Sequence, residues 1–388
     1  MNFKLAALAA TAMLVIAGAA SAQTQGVSKT EIIIGTIQDL SGPLAAYGKQ
    51  DRNGMQMRVD EINEAGGIQG RKLKLIVEDS GYDPKKGVLA AQKLVQKDKV
   101  FVMAGTLGTS VALATMPDIF KHNVIHLFPI TAARQMYEPL GKLKYSFAAT
   151  YYDQIRSGIK YLTRAKADRK WCIIYQDDDF GTEVLQGAEA GLKEINKAFI
   201  EKTSYKRGAT DFSSQVAKMK SAGCDTVVLG TIIRETVGTV GEARKTGWNP
   251  DFIGTSASYT DLIHKLGGAA MNGMYTTHTV QHPYMDDVSK NVRDWATRYK
   301  AKFNEDPTVF SIYGYSIIDT FAKVADKAGP NLTVEKFVDT LDTSSFTRDM
   351  FGADAWSFTK TRHLASNKSR ISQIVNGKWT TMTDYVEP

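Results

Sequence analysis

The sequence predicts an α/β protein of two doubly wound parallel-sheet lobes joined by a three-segment hinge, and three observations carry that expectation. Short β-branched runs alternate with amphipathic helix patterns, without hairpin signals in the first series. The alternation then occurs a second time. Extended stretches at 145–152 and 274–280 bracket that second series and suit crossings between lobes. Such alternation implies right-handed crossovers, with helices on both faces of an open sheet. Ligands in that architecture meet the loops at the carboxyl ends of the strands.

The elements follow in order. Residues 31–36, E-I-I-I-G-T, read as a strand covered on both faces. A turn at 39–44 leads to an amphipathic helix at 45–64, with Met55, Val59 and Ile62 on one side, stopped by Gly66 and Gly67. A strand at 73–77, a helix at 84–96, a strand at 100–103, a helix at 109–121 and a strand at 124–127 complete the first series. The second begins with a strand at 171–176 and a helix after Phe180, then a strand near Phe199 and a helix at 212–221. A strand at 226–230, a helix at 234–246 and a strand at 251–254 end it. Residues 288–341 look helical and return to the first lobe, and strand-like runs at 355–359 and 370–375 cross again. The expected division is 29–147 plus 281–343 for one lobe and 148–280 plus 344–388 for the other, with crossings near 148, 279 and 344.

Of 388 residues, 43% are hydrophobic and 23% charged, as in soluble globular proteins, and the length favours two domains. Residues 1–22 carry one charge, Lys4, then an apolar run and A-S-A before Gln23. This is the pattern of a cleaved secretory signal peptide. The net charge of +7 then falls to about +6. Lysines and arginines are interspersed with acids, without the basic stripe that nucleic acid requires. No later stretch is apolar enough to insert in a membrane. A soluble, exported protein is expected. Cys172 and Cys224 begin two strands that a parallel sheet would make neighbours, open to a disulfide or to two buried thiols.

The stretch V-F-V-M-A-G-T-L-G-T-S at 100–110 combines a buried strand, a glycine turn and a helix start. Gly108, Thr109 and Ser110 bring free N–H groups and hydroxyls to one spot suited to a carboxylate. A phosphate loop is disfavoured, because the Walker pattern needs Lys followed by Ser or Thr after the last Gly, and no lysine directly follows Gly108, with Val111 and Ala112 coming after Ser110. Catalytic patterns are missing too: 254–258 lacks the last Gly of a nucleophile elbow, and no H-E-x-x-H occurs. His278 and His282 sit in a Pro-interrupted stretch, and Asp177–Asp179 reads as a helix cap before a calcium loop. No enzyme activity, metal or cofactor is expected.

The segment 32–84, with I-I-I-G-T-I-Q-D-L-S-G-P-L-A-A-Y-G, D-E-I-N-E-A-G-G-I-Q-G-R-K-L and V-E-D-S-G-Y-D-P, resembles the periplasmic solute-binding proteins of the leucine/isoleucine/valine-binding family, which feed ABC importers. The resemblance covers essentially the whole mature chain and implies the type I periplasmic-binding fold and a membrane permease as partner. It implies that Gly108, Thr109 and Ser110 hold a ligand carboxylate. It also implies ligand contact by Ile130 and Thr131 after the next strand, by Tyr47, by Phe180, and by Tyr151 and Tyr152 at the first crossing.

Two departures from the family pattern bear on the ligand. Amino-acid binders of the family place a carboxylate after the last strand of the second lobe, whereas 254–259 here reads G-T-S-A-S-Y, so that Ser256 and Ala257 stand in an acid-free loop. A buried ammonium without a countercharge is unfavourable. Ile232 and Ile233 make the facing wall apolar, and Arg234 either offers a nearby cation or pairs with Glu235 or Asp178 in solvent. The expected ligand is therefore a small carboxylate without an α-ammonium, of the benzoate or cinnamate type. The alternative is a branched-chain or other hydrophobic amino acid. A sensor built on the same lobes would need a membrane span, as a receptor, or no export signal, as a regulator.

Overall fold

The computed structural model describes residues 24–388, so the leader expected over 1–22 lies outside the described residues. The first sheet is built by β1 (Glu31–Gln38), α1 (Ala45–Glu64), β2 (Lys72–Asp79), α2 (Pro84–Gln92), β3 (Val102–Ala104), α3 (Thr109–Lys121), β4 (Ile125–Leu127) and β5 (Lys144–Tyr145). Its strand order is β2-β1-β3-β4-β5, all parallel. Ile32, Ile34 and Ile37 of β1 are fully buried, as a strand covered on both faces requires. Asp83 caps α2 by accepting from the Lys85 and Lys86 amides, and beyond Gln92 the helix continues as one π turn.

The second lobe contains α4 (Tyr151–Ala165), β6 (Trp171–Gln176), α5 (Asp179–Glu194), β7 (Glu201–Tyr205), α6 (Ser213–Ser221), β8 (Thr226–Gly230), α7 (Ile233–Lys245), β9 (Asp251–Gly254), α8 (Asp261–Gly267) and β10 (Tyr275–His278). The chain then returns through α9 (Lys290–Phe303), α10 (Val309–Ala328) and α11 (Val334–Leu341), forms the ribbon β11 (Ser345–Phe346) and β12 (Trp356–Ser357), and ends in β13 (Arg370–Val375) and β14 (Lys378–Thr381). The second sheet runs β14-β13-β10-β9-β8-β6-β7, parallel except for its last two strands. Cys172 and Cys224 are joined in a disulfide, with Cα atoms 5.9 Å apart, beside the β6–β8 pairing. Helix α10 packs on α1 at van der Waals distance because two glycines leave room. A Cβ on Gly54 would lie 2.0 Å from the Ser311 carbonyl oxygen, and one on Gly314 would lie 2.0 Å from that of Asp51.

Three features differ from the sequence reading. Residues 145–152 are not extended throughout: Thr150 accepts from the Asp153 amide and starts α4 at Tyr151. The third crossing does not lie near 344. Phe358 stacks on Phe128 and His363 on Tyr145, with Ser146 paired to Leu364, so the chain stays on the first lobe until just before β13. Strand β14 is a further strand, joined to β13 through an Asn376-Gly377 turn with both residues at positive φ; the same dipeptide at Asn53-Gly54 and Asn272-Gly273 makes no hairpin, so the signal alone does not single it out.

Two core imidazoles make stability depend on pH. His126 is fully buried with no hydrogen-bond partner for either ring nitrogen among the described residues. Burial, followed by the charge of Lys144, lowers its pKa to about 3. Burial likewise brings His278 to about 3. The unfolded chain takes up these protons near pH ~6.5, whereas the native state does not until far lower. The stability they confer is present above that value and lost as pH falls from it toward 3. We expect the melting temperature to decline between pH 6.5 and 5, and His126→Phe to flatten that decline. Equal slopes for both proteins in pH-resolved thermal unfolding would contradict this.

Candidate functional site

The carboxyl ends of β3 and β4 face those of β8 and β9 across the gap between the lobes. After β3 the chain turns through Gly105 and Gly108, both at positive φ. A Cβ at Gly108 would come within 2.5 Å of the Tyr82 ring, so glycine is required there twice over. The turn is fixed from both sides. Leu107 N–H donates to Ile37, Gly108 N–H to Ile130, and Ile130 N–H to Thr106. Below it, Gln38 donates to the Gly105 carbonyl and to buried Asp51, whose pKa burial pushes well up.

Helix α3 starts at this turn without a side-chain cap. The amides of Thr109 and Ser110 find no acceptor among the described residues. Thr109 and Ser110 are nevertheless buried, and the Thr109 hydroxyl meets that of Thr131 at 2.7 Å. Uncapped buried N–H groups at a helix start form a site for negative charge.

The cleft around the turn has a volume of about 50 Å³. Of the residues expected to contact ligand, Tyr47, Gly108, Thr109, Ile130, Thr131, Tyr151, Phe180, Ile232, Ser256 and Ala257 line it together. Tyr47 stacks on Phe310, with centroids 3.7 Å apart, and its hydroxyl donates across the cleft to the Ala257 carbonyl at 2.7 Å. Phe180 meets Tyr151 edge-on. Burial, and then Glu235, raises the Tyr47 pKa well up; burial first also pushes Tyr151 up to about 12. Both hydroxyls therefore remain donors at neutral pH. No side chain lining the cleft carries a formal charge.

Three expected contacts face elsewhere. Tyr152 lies under the Arg134 guanidinium at 4.0 Å and near that of Arg156, because adjacent helical residues point about 100° apart and Tyr151 takes the cleft side. Arg234, half-exposed, pairs with the buried carboxylate of Glu235 at 2.9 Å and lines a separate pocket instead of the cleft. The Ser110 hydroxyl accepts from Arg207 instead of lining the cleft. Sequence reasoning missed Leu44, Tyr82, Phe147 and Tyr313 in the lining, and Phe310. It also missed Arg207, which closes the rim. Arg207 reaches from the second lobe to the Tyr82 carbonyl at 2.7 Å and to Ser110 at 3.1 Å, pairs with Asp178 at 2.6 Å, and stacks over the Tyr82 ring at 4.1 Å. A second bridge joins Arg134 to Glu183, with the carboxylate buried.

Residues 31–378 match the periplasmic binding protein family. Among curated relatives, a leucine-, isoleucine-, valine-, threonine- and alanine-binding protein from Pseudomonas aeruginosa is 28% identical over 344 residues, covering 86% of this chain and 87% of the relative. A Leu/Ile/Val-binding protein homolog 7 from Brucella suis is 26% identical, covering 79% and 77%. Among solved structures, a fatty acid ABC transporter substrate-binding protein from Thermomonospora curvata superposes with a TM-score of 0.85 at 22% identity, covering 94% of this chain and 95% of that one. A branched-chain amino acid ABC transporter protein from Thermus thermophilus with bound valine gives 0.82 at 16% identity, covering 93% and 97%. The fold is shared across all of them.

Arg207 touches both lobes without lining the cleft, so its removal should act on closure. Hydrogen bonds in which one partner is charged, as in those from Arg207 to the Tyr82 carbonyl and the Ser110 hydroxyl, are worth about 1.5–3 kcal/mol, and Arg207→Ala should raise the dissociation rate of a cleft ligand about tenfold or more. Stopped-flow release of a bound carboxylate measures this; an unchanged rate would remove Arg207 from the closing contacts.

Proposed function

We propose, on the premise that this chain belongs to the periplasmic binding protein family, that its cleft captures a small carboxylic acid with an apolar side group and presents it to a membrane permease. The chain is an extracytoplasmic substrate-binding component of an ABC transporter, of the leucine/isoleucine/valine-binding type. The single observation that carries the ligand class is the buried, uncapped start of α3 inside the cleft. The ligand carboxylate takes the Thr109 and Ser110 amides and the Thr109 and Thr131 hydroxyls; Tyr47, Tyr151, Phe180, Ile130 and Ile232 enclose its side group. A leader over 1–22 and a monomeric state belong to the same proposal.

Two members of that class are separable. The amino-acid binding of the Pseudomonas relative and the valine-bound Thermus protein speaks for a branched-chain or other hydrophobic amino acid, and more strongly so than for the aromatic acid expected from the sequence. A structural feature supports the amino acid as well. Glu235 lies outside the cleft lining and is 1% exposed; one of its carboxylate oxygens pairs with Arg234, the other has no partner among the described residues, and its charge is felt at Tyr47. The uncharged lining and the acid-free loop at Ser256 and Ala257 support an acid without ammonium.

Titration calorimetry with leucine, valine, benzoate and cinnamate distinguishes the two. Thr109→Ala should weaken whichever acid binds by about tenfold to a hundredfold, since one hydrogen bond to a charged group is lost. Glu235→Gln should weaken leucine selectively if the ammonium uses that carboxylate, and leave benzoate unchanged. Retained affinity in Thr109→Ala with a native circular dichroism spectrum would overturn the carboxylate assignment.

A further inference from the structure

A second, larger cavity of about 300 Å³ lies on the hinge side of the cleft. Ala149 of the first crossing and Thr279 and Val280 of the second form part of its wall, and the stacked rings of Phe346 and Trp356 on the β11–β12 ribbon form another. Phe147, Ala148 and Tyr313 line both this chamber and the cleft. The rings of Phe147 and Tyr313 meet edge-on at 5.4 Å, and Phe147 is only half-buried. Two side-chain rings and one methyl group therefore stand where the two spaces adjoin.

The chamber makes no call for a second charge. Lys323 at its rim is paired with Asp319 at 2.7 Å and Lys368 with Glu387 at 3.5 Å, while Asp349 accepts from the Phe351 and Ala353 amides. Its body is aromatic. Sites for small molecules run from about 300 Å³ upward, a range that the chamber reaches and the cleft alone does not.

From these observations we infer that cleft and chamber form one site in two parts, in which the carboxylate rests on the α3 start and an unbranched hydrocarbon chain passes Phe147 and Tyr313 into the hinge chamber. The substrate class then extends to medium-chain monocarboxylic acids. This rests on the carboxylate cleft proposed above.

Calorimetric titration of the full mature protein with butyrate, hexanoate, octanoate and decanoate tests it. Affinity should rise about fourfold for each methylene that enters the aromatic chamber. Thr347→Trp and Ala353→Trp, each filling the chamber from residues outside the cleft, should cut octanoate and decanoate affinity tenfold or more while leaving butyrate unchanged; two variants guard against one that misfolds. Thr109→Ala should weaken all four acids. Short acids that bind without any gain on lengthening, or long acids indifferent to both tryptophans, would overturn the two-part site and leave the cleft reading standing. Long acids that bind equally well in Thr109→Ala would place the chain in the chamber without the cleft and overturn the inference. If no acid of any length binds, both readings fall.

Discussion

The structure is organised around backbone N–H groups of Thr109 and Ser110 that are buried and yet have no partner among the described residues. An uncapped helix start inside a closed cleft is unfavourable unless an acceptor arrives from outside. Everything near Gly108 holds that start in place without satisfying it. Tyr82 occupies the space that a side chain at 108 would need, the Ile37 and Ile130 carbonyls tie the turn to β1 and to the neighbouring loop, and Gln38 anchors Gly105 from below. Other helices opening near the cleft are treated differently: Thr150 caps α4 and Asp178 caps α5, and α1, without a side-chain cap at Leu44, has the Ala45 and Tyr47 amides tied to the Gly42 and Leu44 carbonyls. The start of α7 at Ile232 is also uncapped, but an acid in its first turn, Glu235, already offsets its dipole.

The contacts between the lobes follow from the same geometry. The lobes touch through contacts that depend on approach across the gap: the Tyr47 hydroxyl on the Ala257 carbonyl, Arg207 on Tyr82 and Ser110, and Arg134 on Glu183. Asp178 serves twice, capping α5 and holding Arg207. The helix start that positions Phe180 and the latch that closes the rim are therefore mechanically one unit. Between the lobes the chain passes through short segments, and the chamber beside them leaves their aromatic neighbours loosely filled on one side.

Much of this was legible because parallel α/β lobes write their periodicity plainly. Helices α1 and α3 and strands β6, β8, β9 and β13 fall at the residues that the hydrophobic pattern gives. The turn at Gly108 was readable because glycine, hydroxyl and apolar run occur together in a few residues. Arg207 was not, since it lies in a polar stretch after β7 and acquires its role only when Tyr82 and Ser110, about a hundred residues away, are folded opposite it. Phe310 and Tyr313 look like ordinary core positions of α10; it is the close glycine-mediated crossing with α1 that carries Phe310 to Tyr47. Tyr152 does not share the cleft with Tyr151 because adjacent side chains diverge, by about 100° on a helix and to opposite faces in extended chain, so only one of the pair can take the cleft side. The hinge boundary near 344 failed for a related reason, as the aromatic side chains of β12 and the following turn return to Phe128 and Tyr145 before the chain crosses.

The central claim is that a ligand carboxylate occupies the α3 helix start. Amide resonances of Thr109 and Ser110, followed by proton–nitrogen NMR as a bound acid is titrated in, report on that most directly. The account predicts that both amide protons move downfield as they gain a charged acceptor, with changes at Leu107 and Thr131 that are smaller. Saturation of the protein with ligand while Thr109 and Ser110 keep their resonance positions would contradict it.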